Sequence, residues 1–376
     1  MKSTTFWSAA LLCAAALLGR AGPAAAGPEE APVKLGVAGP ITGPQAKNGQ
    51  DLKEGTQLAV EEWNARGGVL GRKIVIVARD DEAQPKNATA VAGELVDAGV
   101  AGVIGHFNSG CTIPASNIYK EAGIPMITPA STNVKVTDRR FTNVFRICGR
   151  DDQQGATAAD HVANVLKLKK VAVLDDRTAY GKGLADAFEK SLGTRAEVVL
   201  HDGFDKETTN FRPYLTRIKD KGAELVYFGG IYDQGVPLVQ QAREAGLIVP
   251  FMSGDGVHGY AKEFIEPLGA ACEGTFTTFP NTEAAPGYAE FTKKYKEKFG
   301  VEPGPYAIYS YACAQVLLDA IAKAQGTDAG KVCAAIHSST FTTPVGDIAF
   351  DDQGDVKTSG YYKVWVIKGG RHVLAN

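Results

Sequence analysis

Along the chain, short apolar runs alternate with longer amphipathic segments, and the two keep different periods. Residues 33–38, VKLGVA, form a short, mostly apolar run that reads as a strand. Residues 50–64 place Leu52, Leu58, Ala59 and Trp63 roughly on one helical face, and Gly67-Gly68 stops them. The alternation continues with strands at 74–78, 100–105 and 125–128 and helices at 86–98 and 113–122. Around Arg150 the series restarts. Helices at 152–168, 180–192, 211–221 and 234–245 are separated by strands at 171–174, 197–200, 225–228 and 250–253. Strands spaced by helices of this length imply parallel sheets covered on both faces. After a strand-like run at 273–279 the rhythm breaks into three helical runs at 288–299, 307–323 and 331–338. Apolar runs at 345–350 and 361–367 end the series. The order predicts an α/β protein with two doubly wound parallel-sheet lobes, the chain returning to the first after building the second. Several interdomain crossings then form a hinge.

Length agrees with two cores. Lys2, the apolar run at 6–18 and Ala24-Ala25-Ala26 read as a signal peptide over residues 1–26. Cys13 lies inside the apolar run after Leu12, not after a small residue, which disfavours a lipid anchor. Loss of Lys2 and Arg20 takes the formal charge from -2 to -4, so neither nucleic acid nor an anionic membrane is an expected partner. No later run is long and apolar enough to span a bilayer, so a soluble, exported protein is expected. The remaining cysteines are Cys111, Cys148, Cys272, Cys313 and Cys333. The number is odd, so at least one stays unpaired. Cys313 and Cys333 lie on neighbouring predicted helices, where they could pair or remain buried thiols. No Cys/His cluster suggests a metal, and no cofactor is expected.

Two consecutive strands end alike. Residues 103–112 read VIGHFNSGCT and residues 125–133 read PMITPASTN. In parallel α/β sheets, ligands sit beyond the carboxyl ends of the strands. There, Asn108, Ser109, Ala130 and Thr132 would offer hydroxyls and free backbone N–H groups to a carboxylate or phosphate. The alternative use of Ser109 and Thr132 is to cap helices. In the second half, Tyr180 opens a helix after a strand, either as a site residue or as a staple on a solvated turn. Asp255 sits in a tight Gly-Asp-Gly turn after another strand, where turn chemistry alone could explain it. An acid facing a hydroxyl cluster could hold a cation while the cluster holds an anion. A ligand with both groups is an amino acid. The G-x-S-x-G, H-E-x-x-H and G-x-x-x-x-G-K-[ST] signatures are absent. The histidines are scattered, and His106, at a strand end, reads better as a satisfied structural residue than as a base. The protein is therefore expected not to be an enzyme.

Many ordered motifs across nearly the whole chain resemble the leucine/isoleucine/valine-binding proteins, periplasmic receptors of branched-chain amino acid ABC transporters. They are GVAGPITGP from Gly36, RDDEAQPK from Arg79, VIGHFNSGCTIPAS, MITPAST, DQQG from Asp152, AYGKGL from Ala179 and QAREAGL from Gln241. The resemblance implies the type I periplasmic binding protein fold, with three crossings and closure by hinge bending. It implies lobe 1 over residues 27–150 and 279–360 and lobe 2 over 151–278 and 361–376. It assigns the ligand's α-carboxylate and part of its ammonium to Ser109, Ala130 and Thr132, adds Tyr180 from the second lobe, and puts Asp255 in the place of a glutamate that takes the ammonium. Side-chain positions depart more. Asn48 stands for a pocket aromatic, Ile231 for a tyrosine with Tyr232 beside it, and Tyr306 keeps an aromatic position. Ala83 and Asn108 stand where the best-known members have a disulfide. The resemblance implies a monomeric carrier of a small amino acid, branched-chain or other neutral aliphatic, that delivers it to a membrane permease. An amide, a carboxylate or an aromatic acid on the same fold is the alternative, as is a sensing role.

Overall fold

The apolar runs become the strands of two separate sheets. The computed structural model describes Met1, residues 31–357 and residues 361–375. The apolar leader run, Cys13 and the Ala24-Ala25-Ala26 site lie outside the described residues. The first sheet contains β1 (Val33–Gly39), β2 (Ile74–Asp80), β3 (Gly102–Gly105), β4 (Met126–Thr128) and β5 (Val144–Arg146). Its order is β2-β1-β3-β4-β5 and every pair is parallel. The second sheet begins with β6 (Lys170–Asp175), β7 (Glu197–Gly203), β8 (Leu225–Gly229), β9 (Phe251–Ser253) and β10 (Phe276–Pro280). A small separate hairpin, β11 (Phe341–Thr343) with β12 (Gly346–Ile348), precedes β13 (Tyr362–Lys368) and β14 (Arg371–Leu374). The second sheet runs β14-β13-β10-β9-β8-β6-β7. Its last two strands are antiparallel additions at one edge.

Each sheet is clothed by helices because its strands are apolar on both faces. In the first lobe, one face of the sheet packs on the helices Ala46–Ala65 and Ala307–Ala324, and the other on Pro85–Asp97 and Ser109–Glu121. The two helices on the first face touch closely at Gly55. A Cβ there would lie 2.1 Å from the carbonyl oxygen of Ala307. The second lobe encloses its own core around Phe188, Tyr227, Phe228 and Phe251.

The chain passes between the sheets three times: after β5, after β10 and before β13. A buried ion pair ties the first crossing to the third. Arg146, fully buried at the end of β5, places Nη2 2.7 Å from Asp355. Its Nη1 donates to the carbonyl of Asn133 at 2.8 Å, and Arg150 reaches the other Asp355 oxygen at 2.8 Å. Burial alone would raise the Asp355 carboxyl, but the two guanidinium groups outweigh it and hold it below its ordinary value.

Several elements differ from the sequence expectation. The helix expected at 113–122 begins at Ser109 and continues through Pro114. The helix expected over 152–168 is α-helical over Asp151–Asp160 and then widens to five-residue turns over His161–Val165. Strands β5, β11 and β14 are additional. β14 follows β13 through Gly369-Gly370, whose φ values of 60° and 72° suit a two-residue hairpin turn.

Candidate functional site

At each strand-order reversal the connecting loops part, and the loops of the two sheets face one another there. The first sheet contributes the loops after β1, β3 and β4. The second contributes those after β6, β8 and β9. Together they line one small cavity. Asn48, Asn108, Ser109, Ala130, Tyr180, Ile231, Asp255 and Tyr306 line it, joined by Phe107, Gly256 and Tyr260. A larger groove nearby, between Lys135, Arg150, Arg177 and Lys182, is open to solvent.

The hydroxyls at the two strand ends divide into two groups. Thr128 donates to the carbonyl of His106 at 2.8 Å, and Ser131 to the carbonyl of Phe107 at 2.8 Å. Thr112 lies 2.5 Å from Ser131 and donates to the same His106 carbonyl at 3.1 Å. These three tie the loops together. His106 is a satisfied core residue, its nitrogens bonded to Asp81 at 2.7 Å and Tyr119 at 3.0 Å. Ser109 and Thr132 take no part in this tie and cap nothing. The N-cap of the helix Ser109–Glu121 is Asn108, whose side chain makes no capping bond. Ser109 Oγ accepts the N–H of Asn133 at 3.2 Å, which leaves its proton to donate. Thr132 is fully buried and its hydroxyl has no bonded partner, although it stands behind the cavity lining and not on it. The first N–H groups of the helix Ser109–Glu121 add partial positive charge.

Opposite them stands Asp255, almost fully buried. Its Oδ1 accepts from Tyr180 at 2.7 Å and from Gln154 Nε2 at 2.9 Å, and its Oδ2 accepts from the Tyr306 hydroxyl. A carboxylate offers about four acceptor positions, so one remains open. Burial raises the Asp255 carboxyl above its ordinary value, and the bonds from Tyr306, Gln154 and Tyr180 pull it back. Gln154 also accepts the Asp255 N–H at 2.7 Å, and Gly256 donates its N–H to Tyr180 at 3.0 Å. The acid is thus fixed in place from three elements.

Residues of the two lobes are also bonded directly across the cleft. Tyr260 donates to Asn48 at 2.7 Å, Gln45 donates to Asp233 at 3.2 Å and Asn133 donates to the carbonyl of Ala179 at 2.6 Å. Tyr232 does not line the cavity. It packs against Tyr260 with ring centres 4.5 Å apart and donates to the carbonyl of Pro44 at 3.3 Å. All five described cysteines are buried and free, Cys313 and Cys333 included. Cys111 lies under the site with its thiol raised by burial and by Asp81, out of range of thiolate chemistry.

The arrangement pairs an anion-accepting wall with a buried acid, and comparison with known proteins places the scaffold. A family profile described as periplasmic binding protein matches residues 32–371. The chain belongs to the periplasmic binding protein family. Among relatives, an "amino acid binding protein" of Pseudomonas aeruginosa is 44% identical over 352 residues, 92% of this chain and 93% of that one. A "Leu/Ile/Val-binding protein homolog 1" of Brucella suis is 38% identical over 366 residues, 96% of this chain and 95% of that one. The crystal structure of a leucine-binding protein LivK from Thermotoga maritima superposes with a TM-score of 0.83 at 30% identity, covering 92% of this chain and 98% of that one. As in other periplasmic binding proteins of branched-chain transporter type, the chain has two α/β lobes. Among the described residues, no helix is long and apolar enough to cross a membrane.

Sequence reasoning missed four contributors to this cleft: Phe107, Gly256, Tyr260 and Gln154. Phe107 and Gly256 adjoin residues that were singled out, and Gln154 lies in the DQQG motif. Tyr260 follows an irregular loop and carries no periodic signal.

Proposed function

We propose that this periplasmic binding protein captures a small amino acid between its lobes and delivers it to the membrane permease of an ABC importer. The observation that carries the reading is Asp255, buried, held by three donors and left with one acceptor position. An ammonium is the group that completes it. Ser109 and the helix N–H groups stand across the cleft as partners for the α-carboxylate, with the Ala130 backbone beside them and Thr132 one layer behind. Tyr180 and Tyr306 orient the acid, and Asn48, Asn108 and Ile231 face the side chain. Tyr232 acts one layer out by positioning Tyr260. The names of the Pseudomonas and Brucella relatives support an amino-acid ligand. So does the structural relative LivJ from Streptococcus pneumoniae, solved in complex with isoleucine and 27% identical. In this reading, residues 27–150 and 279–360 form one lobe and 151–278 and 361–376 the other. The protein is a periplasmic monomer freed of residues 1–26, and it binds its ligand without turning it over.

Each charge-assisted bond contributes about 1.5–3 kcal/mol. Asp255→Ala and Ser109→Ala should therefore each weaken amino-acid binding by roughly 10- to 150-fold in calorimetry. Unchanged affinity in both variants refutes the assignment.

A further inference from the structure

Two amides in the cleft wall each keep one polar atom free. Asn48 is fully buried, and its Oδ1 accepts the Tyr260 hydroxyl at 2.7 Å. Its Nδ2 has no partner. Asn108 donates Nδ2 to Gln45 Oε1 at 2.8 Å, and its Oδ1 is buried without a partner.

The direction of the second amide is set by a relay of bonds. Gln45 Nε2 donates to Asp233 Oδ2 at 3.2 Å, and the N–H of Gln234 donates to Asp233 Oδ1 at 3.1 Å. An ionised carboxylate only accepts. Gln45 must therefore turn its NH2 to Asp233 and its oxygen to Asn108. Asn108 must then turn its own NH2 to Gln45, which leaves its oxygen as an acceptor at the cavity. Burial raises the Asp233 carboxyl, and the bond from Gln45 works against that rise. At the neighbouring position the Tyr260 hydroxyl holds the Asn48 oxygen, which leaves the Asn48 NH2 as a donor. The wall thus presents one donor and one acceptor to the same cavity.

An apolar ligand side chain would cover both atoms and satisfy neither. A buried donor or acceptor sealed from water without a partner is costly, and the cost falls on the complex. Among the residues lining the cavity, Asp255 is the sole charged one, and it belongs to the ammonium end. A charged side chain would find no counter-ion.

We infer that the ligand is a neutral amino acid whose side chain ends in a group that both accepts and donates a hydrogen bond, a hydroxyl or a carboxamide, read by Asn48 and Asn108. The inference rests on the reading of the cleft as an amino-acid site. It goes further by setting a polar ligand above its apolar isostere.

The test is calorimetry on the full protein with two shape-matched pairs, threonine against valine and asparagine against leucine. In at least one pair the polar member should bind roughly 10- to 100-fold more tightly, the penalty of leaving one buried polar atom without a partner. The pair that shows the preference distinguishes hydroxyl from carboxamide. Asn48→Leu and Asn108→Leu should each reduce the ratio of polar to apolar affinity to near one. Valine and leucine binding as tightly as their polar partners would overturn the inference while leaving the amino-acid reading intact. A preference that survives both substitutions also overturns it. Failure of every amino acid to bind brings down both. The comparison of isosteres on the unaltered protein needs no variant to fold.

Discussion

Asp151 offers a measurable consequence of burying an acid beside a binding cleft. It is the first residue of the helix Asp151–Asp160, a place where an exposed carboxylate is favourable. Here the residue is almost fully buried, and the Thr132 hydroxyl is the neighbouring donor for its carboxyl. Burial pushes its pKa up to about 8, from an ordinary 3.8. The nearby Thr132 hydroxyl and Arg146 oppose the rise, while Asp255 and Asp152 add to it. Between those two values the folded protein holds a proton that the unfolded chain has released. Stability is therefore fully present below the lower value and is lost as pH rises through the window. At about 1.36 kcal/mol for each pH unit, the loss by pH 7 has an upper limit of about 4 kcal/mol. Asp151→Asn keeps the shape and stays neutral at every pH. In urea denaturation followed by circular dichroism, the variant should match the parent near pH 4. It should exceed the parent by roughly 2–4 kcal/mol at pH 7. A difference that does not grow with pH, or a variant less stable than the parent at pH 8, would refute the reasoning.

Other outcomes follow from the hinge and the thiols. Asp355→Ala leaves the Arg146 guanidinium buried without its counter-ion and should cost about 3–5 kcal/mol in the same urea titration. A loss below about 1 kcal/mol would mean that the pair is not shielded from water. The five described thiols are buried and free, so a thiol-specific chromophoric reagent should react with none in the native protein and with all five in denaturant. Three reactive thiols would instead reveal a bond between two of them.

Much of the fold was readable because period and length agree in the elements that build it. Val33–Gly39 and Leu225–Gly229 are short apolar strands, and Ala307–Ala324 is long and apolar enough to be a core helix. The misreadings have local causes. The helix expected from residue 113 starts at Ser109 and runs through Pro114, its sixth residue, which gives up the bond to the Gly110 carbonyl without ending the helix. β5 is three residues long and carries no period to detect. β14 could have been found, since Gly369-Gly370 between two β-rich runs is a hairpin signal.

At the site, sequence could show which loops carry hydroxyls. It could not show which hydroxyls are spent on the scaffold. Thr112, Thr128 and Ser131 look no different from Ser109 and Thr132 until their carbonyl partners are known. The place of Asp255 was legible. Its support from Gln154 and Tyr306 was not, because those residues are separated from it by 101 and 51 positions.

The threading of the chain has a consequence for the order in which the molecule can be made. β1 to β5 are finished by Arg146, yet one face of that sheet is only partly covered by Ala46–Ala65 and is completed by Ala307–Ala324, which leaves the ribosome long afterwards. An emerging amino-terminal half therefore carries a sheet with one apolar side partly bare. Its early strands must wait, loosely collapsed or guarded by a chaperone, while the middle of the chain is synthesised. The Arg146–Asp355 bond must also wait until residues 209 positions apart meet. A truncated product that ends before residue 307 should be an aggregation-prone fragment and not a half-sized domain.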